Sequence, residues 1–169
     1  MPTRVLLAAL LAAAQTAAAS DTFSFDMGDL RLRVIVPDIP QMRMEAQGNE
    51  RFSGANGAYT MSLLLPKAEA GTTPRDCAGS IARTVINRFG LDPKYVVTGQ
   101  ANETTFLMMF PYRLDPVIQF KAFMLSGYKG THCVEVHISR TFLPAPEKAL
   151  AEDLARWFQG FRGAKIETY

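Results

Sequence analysis

The stretch GTHCVEVHIS, residues 130–139, contains both histidines of this chain and one of its two cysteines. These residue types would suit a metal site, a thiol enzyme or one strand of a β-sheet. Val134, Val136 and Ile138 alternate with other residues, and period-two alternation is typical of a strand with one buried face. We therefore predict one extended strand over residues 131–139.

Strand geometry separates the groups that a metal site or a thiol enzyme would have to bring together. Successive side chains of a strand point to opposite faces, so His132 and His137 cannot bind one ion. Cys133 and His137 share a face but are about 13 Å apart, at about 3.3 Å per residue. A thiolate needs its base within about 3.2 Å. The pattern therefore predicts neither metal ligands nor a catalytic thiol.

The first twenty residues have the three-part pattern of a secretory signal peptide. Arg4 is the positive n-region, residues 5–14 are an apolar run, and residues 17–19 are the small residues that a peptidase requires. The apolar run is too short to cross a bilayer of about 30 Å as a permanent anchor. We predict that residues 1–20 are cleaved. Residues 21–169 would then form a single α+β domain in the periplasm or outside the cell, with no stable membrane insertion.

The two cysteines are predicted to form a Cys77–Cys133 disulfide. Cys77 falls in the first turn of a predicted helix, on its apolar side, while Cys133 falls on the predicted strand. In an exported chain, two cysteines are more often a disulfide than zinc ligands or a thiol pair. The bridge would close a loop of 57 residues (133 − 77 + 1), which is worth about 4 kcal/mol in the chain-entropy model. Two free buried cysteines are the alternative.

The charge of the predicted mature chain gives no electrostatic basis for binding nucleic acid or an anionic membrane surface. Without Arg4, 17 basic side chains (18 minus 1) stand against 16 acidic ones. The basic residues are scattered along the chain, whereas those partners require a concentrated positive charge. We expect no nucleic-acid partner.

Apolar periodicity predicts two amphipathic helices packed on an antiparallel sheet of about six strands. The first helix, residues 74–89, begins at the capping residue Thr73 and ends before Gly90. The second helix covers residues 146 to about 160, and its buried stripe consists of Leu150, Leu154, Trp157 or Phe158, and Phe161. Strand patterns occupy residues 23–27, 30–36, 42–47, 52–65, 95–99, 104–112, 117–125 and 131–139.

Common catalytic motifs are absent from the chain, including Gly-x-Ser-x-Gly, His-Glu-x-x-His and a glycine-rich phosphate loop. Ser62, Ser80 and Ser139 carry no sequence marker of activation. We therefore predict no catalytic residues, no metal ligands and no cofactor, and favour a non-catalytic role over an enzyme. Two alternatives stay open: a secreted hydrolase with carboxylates from distant positions, and a periplasmic copper-binding protein that uses Met42 and Met44, because thioethers favour Cu(I).

Residues at strand ends beside a rigid sheet are common binding groups. Tyr112, Arg113 and Tyr128 fall at such positions in the predicted sheet. We name them as the candidate contacts for a protein partner or a small ligand.

The predicted elements follow an order that is similar to a known family. A hairpin ends at residues 36–37 (VP), further strands, a middle helix and three long strands follow, and the last helix ends in residues 157–161 (WFQGF). This order, over nearly the whole mature chain, resembles the small α/β/α sandwich of the PsbP-like superfamily, which includes exported bacterial proteins. The resemblance implies a non-catalytic accessory or binding protein and supplies no catalytic residues.

Overall fold

The computed structural model describes residues 20–27, 30–37, 39–48, 51–142 and 147–169. Within them the chain has a mixed α and β fold, in which the strands form a seven-stranded and a three-stranded sheet and the paired strands are antiparallel. The predicted signal peptide, apart from Ser20, lies outside the described residues.

The larger sheet has the strand order β3-β4-β5-β9-β8-β7-β6, and the smaller sheet has the order β1-β2-β10. The strands are β1 (Ser20–Met27), β2 (Leu30–Pro37), β3 (Glu45–Ala46), β4 (Arg51–Asn56), β5 (Tyr59–Leu64), β6 (Val97–Gln100), β7 (Phe106–Leu114), β8 (Val117–Tyr128), β9 (His132–Phe142) and β10 (Lys165–Thr168). The helices are α1 (Pro74–Phe89) and α2 (Glu147–Gly160), and short 3₁₀ turns span Pro93–Tyr95 and Phe161–Gly163.

The prediction of one sheet with about six strands is wrong, because the N-terminal hairpin belongs to a second sheet. Strand β2 pairs with β1 on one side and with β10 on the other. Strand β10 has four residues, of which only Ile166 is buried, so it shows too little alternation to be recognised in a sequence. The predicted strand over residues 42–47 is also shorter than expected, since only Glu45–Ala46 is a strand.

Helix α1 has the predicted bounds, because its termination signals are local. Thr73 Oγ1 accepts a hydrogen bond from the backbone N–H of Asp76 at 3.2 Å, and the Asp76 carboxylate accepts one from the backbone N–H of Thr73 at 3.1 Å. This reciprocal pair is a capping box, and the Thr73 hydrogen bonds lower the pKa of the Asp76 carboxyl. Gly90 ends the helix at φ 59°, a left-handed conformation that suits glycine.

The larger sheet is apolar on both faces. The first, which we call the hairpin face, packs on the three-stranded sheet and on Trp157 and Phe161. The second, the α1 face, packs on Cys77, Ile81 and Val85 of the helix. The central strands β8 and β9 are therefore covered on both sides, and consecutive residues of each strand are buried.

The predicted disulfide is confirmed: Cys77 and Cys133 are bonded, 56 positions apart in the sequence. The bond joins the first turn of α1 to the beginning of β9. Such a bond agrees with an oxidising environment.

We expect the Cys77→Ala/Cys133→Ala double variant to lose about 2–4 kcal/mol of unfolding free energy, because the unfolded chain regains the entropy of a long closed loop. Urea unfolding at neutral pH measures the loss. Wild-type protein unfolded under reducing conditions is the control and should lose a similar amount. Equal stability of the oxidised wild type and the double variant would contradict the structural role of the bond.

Candidate functional site

Strand β9 is one regular strand, as predicted, although it continues to Phe142. Residues 135–140 pair without interruption with β5 on one side, and residues 132–142 pair without interruption with β8 on the other. Val134, Val136 and Ile138 belong to the core of the hairpin face, whereas Cys133 belongs to the core of the α1 face. The two histidines therefore lie on opposite faces, as the alternation predicts.

A polar cluster that the sequence did not suggest lies on the α1 face. Ser139 Oγ is 3.0 Å from His137 Nε2, and Lys121 Nζ donates a hydrogen bond to the same oxygen at 3.3 Å. We call Lys121, His137 and Ser139 the Ser139 cluster. Alternation alone places residues 137 and 139 on one face, but the third member requires the register of β8 against β9, in which Lys121 is opposite Ser139.

His137 is uncharged at neutral pH. Burial, together with the positive charges of Lys121 and Arg88, lowers the pKa of His137 from 6.5 to about 3. The ring stacks on Phe123 with 4.3 Å between the ring centroids. A neutral imidazole has one protonated and one unprotonated nitrogen, so the tautomer of His137 determines whether Ser139 Oγ or His137 Nε2 is the donor of this hydrogen bond.

Lys121 is a buried cation with aromatic neighbours. Its side chain is 7% exposed, and its ammonium group lies 5.2 Å from the Phe89 ring centroid and 5.6 Å from that of Tyr112. Burial lowers the pKa of Lys121. Burial likewise raises the pKa of Glu135, and the nearby charge of Arg88 partly offsets this rise. Each of these shifts favours the neutral form of a desolvated group.

The Ser139 cluster resembles a nucleophile beside a base, but its electrostatics are unsuited to proton transfer. A general base works best with a pKa near the operating pH, and the pKa of His137 is about 3. The nucleophile would also have to meet a substrate, and Ser139 is only 3% exposed. The contacts instead satisfy the hydrogen-bonding groups of a buried part of the sheet.

A groove lies at the β6 edge of the larger sheet, between β6 and the C-terminal end of α2. Its volume is about 420 Å³. We call it the β6–α2 groove, and the residues that line it are Gly99, Gln100, Ala101, Leu107, Phe158 and Arg162. Most of its wall is apolar, and Arg162 is its charged residue.

The sheet positions the floor of this groove. Gly99 of β6 and Leu107 of β7 are cross-strand partners, so they share the hairpin face of the sheet. A Cβ atom built on Gly99 would lie 3.8 Å from the Phe158 ring, which is ordinary van der Waals contact. The missing side chain of Gly99 therefore leaves space between β6 and α2.

Strand β6 is the last strand of the larger sheet and, among the described strands, pairs only with β7. Two apolar residues near this edge are largely exposed: Tyr95 at 65% and Val97 at 46%. Strand β7 continues beyond β6, and Pro111 lies in that continuation. The groove is thus beside an exposed edge rather than inside the core.

The three predicted contact residues are not brought together. Tyr112 and Arg113 are neighbours on β7, so their side chains leave opposite faces of the sheet. Tyr112 is half-buried against Phe89, with 5.1 Å between the ring centroids, and Arg113 is exposed. Tyr128 belongs to the core at 4% exposure, and its hydroxyl accepts a hydrogen bond from the backbone N–H of Arg31 at 3.4 Å.

Met42 and Met44 are both half-buried and pack against the core of the hairpin face. Met42 lines a second cavity of about 410 Å³. Met44 lies above Gly54, where its sulfur would be 2.7 Å from an added Cβ atom. In the part of the chain that the structure describes, no three His, Cys, Asp or Glu residues form a group suited to a metal ion.

No family model and no curated protein matches this chain. Among the helices of the described residues, none has both the length and the apolarity to cross a membrane.

We expect His137→Gln to weaken the acid sensitivity of folding. His137 binds protons less readily when folded, because its pKa falls from 6.5 to about 3. Between these values the unfolded chain binds more protons, so stability falls as the pH falls. At pH 4 this effect amounts to about 3 kcal/mol.

Urea unfolding at pH 7 and pH 4 measures this effect. The difference in unfolding free energy between the two pH values should shrink by about 3 kcal/mol in His137→Gln. Glu135, whose raised pKa has the opposite effect, is present in both proteins. His132→Gln, on the other face of β9, is the matched control. An unchanged difference in His137→Gln would show that the ring is not held neutral.

We expect Ser139→Ala to lower the unfolding free energy by about 1–3 kcal/mol, because buried Lys121 and His137 lose their shared hydrogen-bond partner. The same substitution in a Lys121→Met background should have a smaller effect, since the cation no longer needs an acceptor. A double-mutant cycle from urea unfolding at pH 7 measures the coupling. Additive effects would mean that the Lys121–Ser139 contact contributes nothing.

Proposed function

We propose that this chain is an exported, non-catalytic accessory protein that binds its ligand in the β6–α2 groove. The observation that carries the proposal is the groove itself, whose volume is about 420 Å³. Ligand sites are typically concavities of about 300–1,000 Å³ with mostly apolar walls and a few polar groups. Leu107 and Phe158 supply apolar walls of this kind, and Arg162 supplies a polar group.

The groove has one wall on a sheet and one on a helix. Leu107 is 5% exposed within the larger sheet, while Phe158 packs from α2 against the same core. Sites built on regular elements keep their geometry better than sites on loops. A groove of this kind is already formed before a ligand arrives, so a small ligand can bind without rearrangement of the protein.

Export and family are further parts of the proposal. The Cys77–Cys133 disulfide is consistent with a periplasmic or secreted location, as is the signal-peptide pattern of the sequence. Helix α1 packs on one face of the larger sheet, and Trp157 of α2 packs on the other. This arrangement supports the PsbP-like α/β/α sandwich that the order of elements suggested.

No contact among the described residues specifically favours either of the two alternative functions, a carboxylate hydrolase or a copper-binding protein. Among the described residues, Glu135 is the buried carboxylate, and its charged neighbour is Arg88 rather than the second carboxylate that a carboxylate hydrolase would need. Met42 and Met44 contact the core of the hairpin face. A non-catalytic binding role is therefore the function that the geometry supports best.

A neutral apolar dye, N-phenyl-1-naphthylamine, tests the proposal. We expect it to bind the mature protein and to accept excitation energy from Trp157, the single tryptophan of the chain, which precedes Phe158 in α2. Gly99→Leu should fill the groove and weaken dye binding at least about tenfold, since it removes the apolar contact area.

Thr98→Leu is the matched control, because it adds the same side chain at an exposed position on the opposite face of β6. It should leave dye binding unchanged, and thermal unfolding should show that both variants are folded. Equal dye binding by Gly99→Leu and Thr98→Leu would contradict the proposed groove. So would the absence of dye binding by the wild type and both variants.

A further inference from the structure

We infer that the ligand of the β6–α2 groove is a small carboxylate with an apolar body, bound through Arg162. The inference rests on the proposed function, because it names the chemical class that the proposed groove accepts. Two features support it: an unpaired cation on the wall, and an apolar surface beside that cation.

The Arg162 side chain has no acidic partner in the described part of the chain, and no described residue accepts a hydrogen bond from its guanidinium group. Lys94 and Lys165, by contrast, are paired: Lys94 is 2.7 Å from a carboxylate oxygen of Asp92, and Lys165 is 2.6 Å from one of Glu167. The planar guanidinium group offers paired N–H donors that match a carboxylate. An unpaired arginine at the wall of a groove is therefore suited to an anionic ligand.

The remaining walls favour a ligand with an apolar body. The described lining residues include no carboxylate that would repel an anion. Leu107, Ala101 and the Phe158 ring provide carbon surface next to Arg162. Burying a hydrocarbon chain there would remove apolar surface from water, which favours binding. A ligand with one anionic group and an aliphatic or aromatic body would contact both Arg162 and the apolar surface beside it.

Displacement of the neutral dye by decanoate and by 1-decanol tests this inference, below the concentration at which either aggregates. The two compounds share a ten-carbon chain, and only decanoate carries a charge. We expect Arg162→Gln to weaken decanoate binding about tenfold or more, because a charge-assisted pair is lost. The same variant should weaken the binding of 1-decanol, which carries no charge, several-fold less than the binding of decanoate.

Two further variants serve as controls. Arg83→Gln removes an exposed arginine from α1, on the other side of the sheet, and should leave decanoate binding unchanged. Arg162→Lys keeps the charge without the paired donors and should give an intermediate affinity. Decanoate binding to the wild type should also weaken as the salt concentration rises.

The outcomes separate the inference from the proposed function. If Gly99→Leu abolishes dye binding but Arg162→Gln leaves decanoate binding unchanged, the groove is a ligand site and the carboxylate inference is wrong. If the Arg83 variant loses as much affinity as the Arg162 variant, the effect comes from net charge and the inference is again wrong. If Gly99→Leu leaves dye binding unchanged, both the proposed function and the inference fail.

Discussion

The regular pairing of β9 with both of its neighbours is the constraint on which the rest of the structure depends. This strand has β5 on one side and β8 on the other, contributes side chains to both cores, and carries the cysteine that anchors α1. A shift of one residue in its register would exchange its two faces. Val134 would then pack against α1, and the charged and polar residues of the α1 face would be buried in the core of the hairpin face. The disulfide opposes that shift, because Cys133 must face the helix.

The same alternation determines how the potentially reactive groups of this strand are divided between its two faces. The sulfur of Cys133 is bonded to Cys77 and is not a free thiol. Burial and the positive charges of Lys121 and Arg88 keep His137 neutral. Burying charge without a close counter-ion is unfavourable, and the α1 face limits this penalty by shifting pKa values and by placing aromatic rings around Lys121. Hydrogen bonding and stacking therefore account for groups that a motif search would assign to catalysis.

How far the sequence predicts this structure depends on the range over which each feature is determined. Helix α1 was predicted to the residue because Thr73, Asp76 and Gly90 act within a few positions of its ends. The partnership of β10 with β2 was not predicted, since it joins residues at the two ends of the described chain. The Ser139 cluster lies between these cases: one contact follows from alternation, but the contact with Lys121 depends on register. The β6–α2 groove is formed by residues about sixty positions apart, such as Gly99 and Phe158, and no local pattern could reveal it.

Pro111 has a consequence for how this molecule meets copies of itself. Open sheet edges invite intermolecular strand pairing, and native proteins limit it with short edge strands and with proline. Strand β6 offers four residues, and the edge beyond it contains a residue with no N–H to donate. A second chain laid along this side would find only a brief and interrupted hydrogen-bonding ladder. Self-association through this edge is thereby disfavoured, which leaves the neighbouring groove accessible to small molecules.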